Sequence, residues 1–183
     1  MAARRQFRVT GIVQGVGFRP FVYGLARQHE LAGFVLNDGE GVVIEAEGGE
    51  EELERFAAAL VSQAPRLARV ESVETSPLDL QGNSGFVISA SAATGRTALI
   101  PADVATCDDC LRELFDPADR RYRYPFTNCT QCGPRFTIVT AVPYDRPSTT
   151  MAAFPLCSAC RAVYEDPADR RFHAEPIACP VCG

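Results

Sequence analysis

The stretch VTGIVQGVGFRP, residues 9–20, begins as a β-strand, breaks at Gly15 and Gly17, and resumes with Phe18, Arg19 and Pro20. The break is the informative part. A glycine-rich turn leading from a strand into a helix aims successive backbone N–H groups at one point, and the helix dipole adds to their pull on an anion. Arg19 beside the turn offers a planar, two-pronged donor suited to phosphoryl oxygens. Pro20 fits the first helical turn, where its missing N–H is no loss. Gln14, Gly15, Val16, Gly17, Phe18 and Arg19 therefore form a candidate phosphate-binding loop. The spacing matches neither the dinucleotide glycine pattern nor the lysine-ending phosphate loop, and a tight turn without a ligand would use the same two glycines.

Working outward, residues 6–13 alternate as a strand, and Phe21, Val22, Leu25 and Ala26 share one face of a helix that stops near Leu31–Gly33. GFVLN and GVVIEAEG bracket Asp38–Gly41, a hairpin signal. Glu50, Glu51 and Glu52 favour a helix N-terminus, and Leu53, Phe56, Ala57, Leu60 and Val61 follow at the spacing of one apolar stripe. Residues 68–75 and 86–91 read as further strands. The predicted fold class is α+β, with a ferredoxin-like βαββαβ domain over residues 1–92. Glu45 and Glu47 alternate with Ala46 and Gly48 and read as a solvent-facing strand edge without chemistry.

VTGIVQGVGFR (9–19) and GFVLNDGEGVVIEAEGG (33–49) resemble the two signatures of the acylphosphatase family. That resemblance implies a phosphate held by the loop amides and Arg19, and an attacking water oriented by Asn37. An acyl phosphate is already activated, so positioning and charge stabilisation can suffice without a covalent nucleophile or a metal. Leu36 departs from the family pattern, in which a polar or basic residue is commoner, and this bears on substrate preference. The alternative for Asn37 is a hairpin-flanking asparagine satisfying its own turn.

All eight cysteines lie in the second half, as four CxxC pairs at 107/110, 129/132, 157/160 and 179/182. The second pair of pairs repeats the first at an offset of 50 (Cys107 to Cys157), and DPADRRYRYPFTNCTQCG (116–133) faces DPADRRFHAEPIACPVCG (166–183). Two CxxC turns can close a tetrahedral four-thiolate zinc site, and segments this short depend on metal for much of their folding free energy. The expectation is two zinc ions, one held by Cys107, Cys110, Cys129 and Cys132 and the other by Cys157, Cys160, Cys179 and Cys182; a nested pairing would use the same residues. Module 1 spans 107–133, a spacer 134–156 and module 2 157–183, with a linker at 93–106. His173 has Arg123 as its repeat counterpart and is expected at the surface or beside the metal shell, not as a ligand. The DPADRR segments are read as solvated turns opened by Asp-Pro.

The net charge of −5, with nine arginines against eleven acids in residues 101–183, excludes a general basic field for nucleic acid or an anionic membrane. No apolar run reaches the roughly 20 residues of a membrane helix, and no secretion signal opens the chain, so a cytoplasmic location is expected.

The combination of both acylphosphatase signatures with the duplicated cysteine modules resembles the N-terminal portion of the HypF family, carbamoyltransferases of [NiFe]-hydrogenase maturation. The resemblance implies hydrolysis of carbamoyl phosphate to carbamate and phosphate at the Arg19–Asn37 site. It further implies ATP-dependent activation in domains downstream of these residues, and delivery of the carbamoyl group to HypE. Two alternatives stay open: a free-standing acylphosphatase with a zinc-binding appendage, and a non-catalytic zinc-dependent protein-binding module.

Overall fold

The computed structural model describes residues 1–92 and 98–183. The first half is built from β1 (Ala2–Ile12), α1 (Phe18–Gln28), β2 (Ala32–Asn37), β3 (Val42–Gly49), α2 (Glu50–Ser62), β4 (Arg69–Leu78) and β5 (Phe86–Ile88). The sheet order is β4-β1-β3-β2-β5. All pairings are antiparallel except that of β2 with β5. The first four strands and two helices make the predicted βαββαβ sandwich, and β5 adds a short parallel edge strand to it.

β1 begins four residues earlier than its alternation suggested. As an inner strand it is held on both sides, with Ala2 opposite Gly49 of β3 and Arg4 opposite Leu78 of β4. Its arginines find acids nearby: Arg4 pairs with Glu45 of β3, and Arg5 with Glu50 at the start of α2 at 3.3 Å. β3 is also an inner strand, so Glu45 and Glu47 do not lie on a sheet edge as expected. Glu45 serves Arg4 and Gln6, while Glu47 accepts the backbone N–H groups of Gln81 and Gly82, each at 2.9 Å. In α2, Leu53, Phe56, Ala59 and Leu60 are buried but Val61 faces solvent. The apolar stripe ends one residue earlier than its spacing suggested, at Leu60, because the helix packs by a single face on the sheet. The core of this half, from Phe7 through Ile44 and Phe56 to Phe86, is drawn entirely from its own residues.

The hairpin between β2 and β3 is closed by Asp38, whose carboxylate accepts the N–H groups of Glu40 (2.9 Å) and Gly41 (2.8 Å). This fixes Asn37 as the last residue of β2, beside the loop that joins β1 to α1.

Of the predicted linker, residues 93–97 lie outside the described residues. The remainder packs on both neighbours: Ala98 donates to the Gly39 carbonyl at 2.7 Å, and Asp103 accepts the Phe136 N–H at 2.6 Å. The cysteine-rich half contains α3 (Asp108–Phe115), α4 (Ser158–Glu165) and several single 3₁₀ turns. It docks on the loop face of the first half, where Tyr23 of α1 meets Phe172 edge to face, with centroids 5.4 Å apart.

Candidate active site and metal centres

The loop between β1 and α1 runs through Gly15 (φ 72°) and Gly17 (φ 76°), both in the left-handed region that favours glycine. A second constraint comes from packing. A Cβ at Gly15 would lie 2.7 Å from Pro134, and one at Gly17 would lie 3.1 Å from Thr130, so the cysteine-rich half sits directly on the loop. Among the described residues, no backbone acceptor takes the N–H groups of residues 15–19. At the start of α1, with Gly17 at its N-cap, that is the arrangement of an anion cradle.

The six loop residues do not act alike. Gly15, Gly17, Phe18 and Arg19 line a pocket together with Asn37. Val16 and the ring of Phe18 are buried in the core. Gln14 is a bracket: its amide donates to the carbonyls of Asp38 and Gly41, both at 2.7 Å, and its Oε1 accepts the Tyr144 N–H at 2.8 Å. It thereby ties hairpin, loop and spacer together.

The structure brings Arg19 and Asn37 together, and both donate to one carbonyl oxygen, that of Tyr144, at 3.3 and 3.2 Å. Asn37 is 1% exposed, and its Oδ1 has no hydrogen-bond partner among the described residues. Arg19 is 7% exposed and is gripped by two carboxylates from the other half. Nη1 lies 2.7 Å from Asp145, and Nη2 lies 2.7 Å from Glu175. Burial works against the charge of Arg19, but Glu175 and Asp145 outweigh it and hold the guanidinium firmly protonated. Burial pushes Glu175 above the ordinary carboxyl range, and Arg19 opposes that push.

The pocket encloses about 20 Å³ between the loop, Tyr144 and residues 173–176, room for roughly one water. His173 lies here, half-buried, and belongs to neither cysteine set. Burial, followed by the nearby charge of Arg19, lowers its pKa to about 4 and keeps the imidazole neutral. The sequence reading did not find Tyr144, Asp145 or Glu175. A signal for Glu175 was present: His173, Ala174, Glu175 and Pro176 stand where the first repeat has Arg123, Tyr124, Pro125 and Phe126. The duplication breaks where the second copy faces the pocket.

The eight cysteines gather as two sets, 107/110/129/132 and 157/160/179/182, with the sulfurs of each set within 4.8 Å of one another. This is the sequential pairing. The Cys107–Cys129, Cys110–Cys132 and Cys129–Cys132 sulfur separations are 3.6, 3.7 and 3.8 Å. In the second set, Cys157–Cys179 and Cys179–Cys182 are 3.8 and 3.7 Å apart. A tetrahedron with Zn–S bonds of about 2.3 Å has edges of about 3.8 Å, so both sets fit a four-thiolate zinc ion.

The DPADRR segments open as the expected exposed turns at 116–118 and 166–168, but their final arginines do not stay in solvent. Arg121 and Arg171 are buried, and each segment reaches into the opposite module. Arg120 donates to Cys160 Sγ at 2.7 Å, and Arg170 to Cys110 Sγ at 3.0 Å. Arg121 Nε donates to the Ala178 carbonyl at 3.2 Å, and Arg171 Nε to the Asn128 carbonyl at 3.0 Å. Glu113 receives both Arg170 and Arg171, and these arginines overcome the effect of its burial to hold its pKa down at about 2.

Comparison with known proteins finds two family matches along the chain. The acylphosphatase family matches residues 5–88, and the HypF finger matches 106–139 and 156–183. The carbamoyltransferase HypF of Rhodobacter capsulatus is 58% identical over 181 residues, covering 97% of this chain and 24% of that protein. A crystal structure of full-length HypF in a phosphate- and nucleotide-bound form superposes with a TM-score of 0.96 at 46% identity, over all of this chain and 24% of that one. The structure of HypF from T. kodakarensis gives 0.86 at 54% identity, over all of this chain and 23% of that one. The chain spans about a quarter of the length of these relatives. With an acylphosphatase domain and paired HypF fingers along its length, and homology to the N-terminal portion of such carbamoyltransferases, it belongs to the HypF family.

Proposed function

We propose that the Arg19–Asn37 pocket hydrolyses an acyl phosphate, with carbamoyl phosphate as the substrate in the setting of hydrogenase maturation. The observation that carries this reading is the buried Asn37 Oδ1, an acceptor without a partner among the described residues, beside a loop of unpaired amides and a protonated arginine. An unsatisfied buried acceptor costs free energy, of order 1–3 kcal/mol, unless a water or substrate group meets it. Asn37 Oδ1 accepts a hydrogen from the attacking water and orients it. The loop amides and Arg19 take the charge on the phosphoryl oxygens. The water oxygen bonds to phosphorus as the bond from phosphorus to the carbamoyl oxygen breaks, and carbamate and inorganic phosphate leave. A pocket of about 20 Å³ admits a phosphoryl group only when its covering side chains give way.

The two cysteine sets each hold one zinc ion, which supplies folding free energy and has no step in the hydrolysis. Transfer of the carbamoyl group to HypE, and the ATP it consumes, are not assigned to residues 1–183. The test is phosphate release from carbamoyl phosphate and acetyl phosphate by the wild type and by Asn37→Ala. The expected result is loss of turnover by about 100-fold or more with inhibition by inorganic phosphate unchanged, since Asn37 holds water and not the anion. An equal weakening of phosphate inhibition contradicts this role for Asn37, and retained turnover removes it from the chemistry.

A further inference from the structure

We propose that Glu175, from the second cysteine module, is a positioning residue that sets the angle of the Arg19 guanidinium, so that the acylphosphatase pocket is complete only with that module in place. The proposal rests on the hydrolytic reading of the Arg19–Asn37 pocket. An arginine has five N–H donors in a rigid fork, so fixing one end fixes the direction of the others. Glu175 Oε1 fixes Nη2 at 2.7 Å. Its other oxygen is itself held twice, by the Arg146 N–H and by the Tyr164 hydroxyl, each at 2.9 Å. The carboxylate is 3% exposed and so cannot drift with solvent.

Glu175 and one of its anchors, Tyr164, belong to the second metal module; the other anchor, the Arg146 N–H, belongs to the spacer. Tyr164 lies on α4, whose first turn carries Cys160, and Glu175 stands four residues before Cys179. Binding of zinc by Cys157, Cys160, Cys179 and Cys182 therefore orders both Tyr164 and Glu175, and through them the arginine of the other half. This also accounts for the break in the repeat. The first module has Pro125 where the second has Glu175, and only the second meets Arg19.

The experiment measures phosphate release by the full 183-residue chain and its variants, with inhibition by inorganic phosphate and bound zinc determined alongside. For Glu175→Gln, kcat should fall about tenfold, as for other residues that orient a direct ligand, while the inhibition constant for phosphate moves less than about threefold. The anion stays bound because the loop amides remain and Arg19 has lost a competing negative charge. Tyr164→Phe removes one hydroxyl and should lower kcat about threefold in the same pattern. Retention of full kcat in both variants overturns the proposal. Tighter phosphate inhibition at unchanged kcat also overturns it, since Glu175 would then be a competitor for Arg19. If Glu175→Gln loses zinc or its fold, Tyr164→Phe decides by the same two criteria. Undiminished turnover in Arg19→Ala would instead refute the hydrolytic reading itself.

Discussion

Arg19 is engaged by two carboxylates that differ in how firmly they are held. Glu175 is buried and tied at both oxygens, whereas the Asp145 side chain is 22% exposed. Both Nη groups are occupied, so a phosphoryl oxygen that needs Nη1 has to replace Asp145. In Asp145→Asn the shape is kept and the competing charge is gone. Inhibition by inorganic phosphate should tighten about threefold, within the ~1 kcal/mol of a partly exposed ion pair. The gain should shrink as salt is raised, because a partly exposed pair is screened. Weaker phosphate inhibition in this variant would mean that Asp145 helps to hold the anion and does not compete with it.

At the scale of elements, the local signals in the first half translated directly into structure. The glycine break, the Asp38–Gly41 turn and the apolar stripes each report contacts between residues close in sequence, so β1, α1, the hairpin and α2 were legible with shifts of a few residues. The limits of that legibility are physical. β1 extends back to Ala2 because β3 and β4 flank it, and neither neighbour is visible in its own sequence. Arg19 and Asn37 were singled out because the loop and hairpin that carry them have local signatures, and the roles given to them rest on the family resemblance of those signatures. Asp145 and Glu175 carry none, since they reach Arg19 from 126 (145 − 19) and 156 (175 − 19) residues away.

The arginines that end the DPADRR segments were not legible for a related reason: an arginine after an exposed Asp-Pro turn reads as solvated until the facing sulfur cluster is in view. Four thiolates on one Zn²⁺ carry a net charge of −2 (4 × −1 plus 2), and a guanidinium from the opposite module offsets part of it. Arg170→Gln should therefore weaken zinc at the first site, where Arg170 meets Cys110, and Arg120→Gln should weaken it at the second, where Arg120 meets Cys160. The expected loss is about tenfold in chelator competition, in line with other outer-shell partners of metal ligands. Alkylation mapped by mass spectrometry identifies which cysteines open first. Earlier opening of the cysteines in the substituted arginine's own module would refute the crossed arrangement.

Across the whole molecule, the two halves are stabilised by different means and share one site. The first half has a core made entirely of its own residues, Phe7, Val9, Ile44, Leu53 and Phe56 among them. In the second half the buried clusters consist largely of the cysteines themselves, with Ala174 and Ile177 added in one module. Metal binding in such a module is folding free energy, of order 10 kcal/mol per structural zinc. Removal of zinc by a strong chelator should therefore unfold residues 98–183 and leave residues 1–88 folded. Hydrogen exchange should show protection retained in β1, β3 and α2 and lost in α3 and α4. The same treatment withdraws Tyr144, Asp145 and Glu175 from Arg19, so turnover should fall in step with exposure of the second module and return when zinc is restored. Loss of protection throughout the chain on chelation would show that the sheet depends on the metal modules for its stability, and that the division of labour between the halves is wrong.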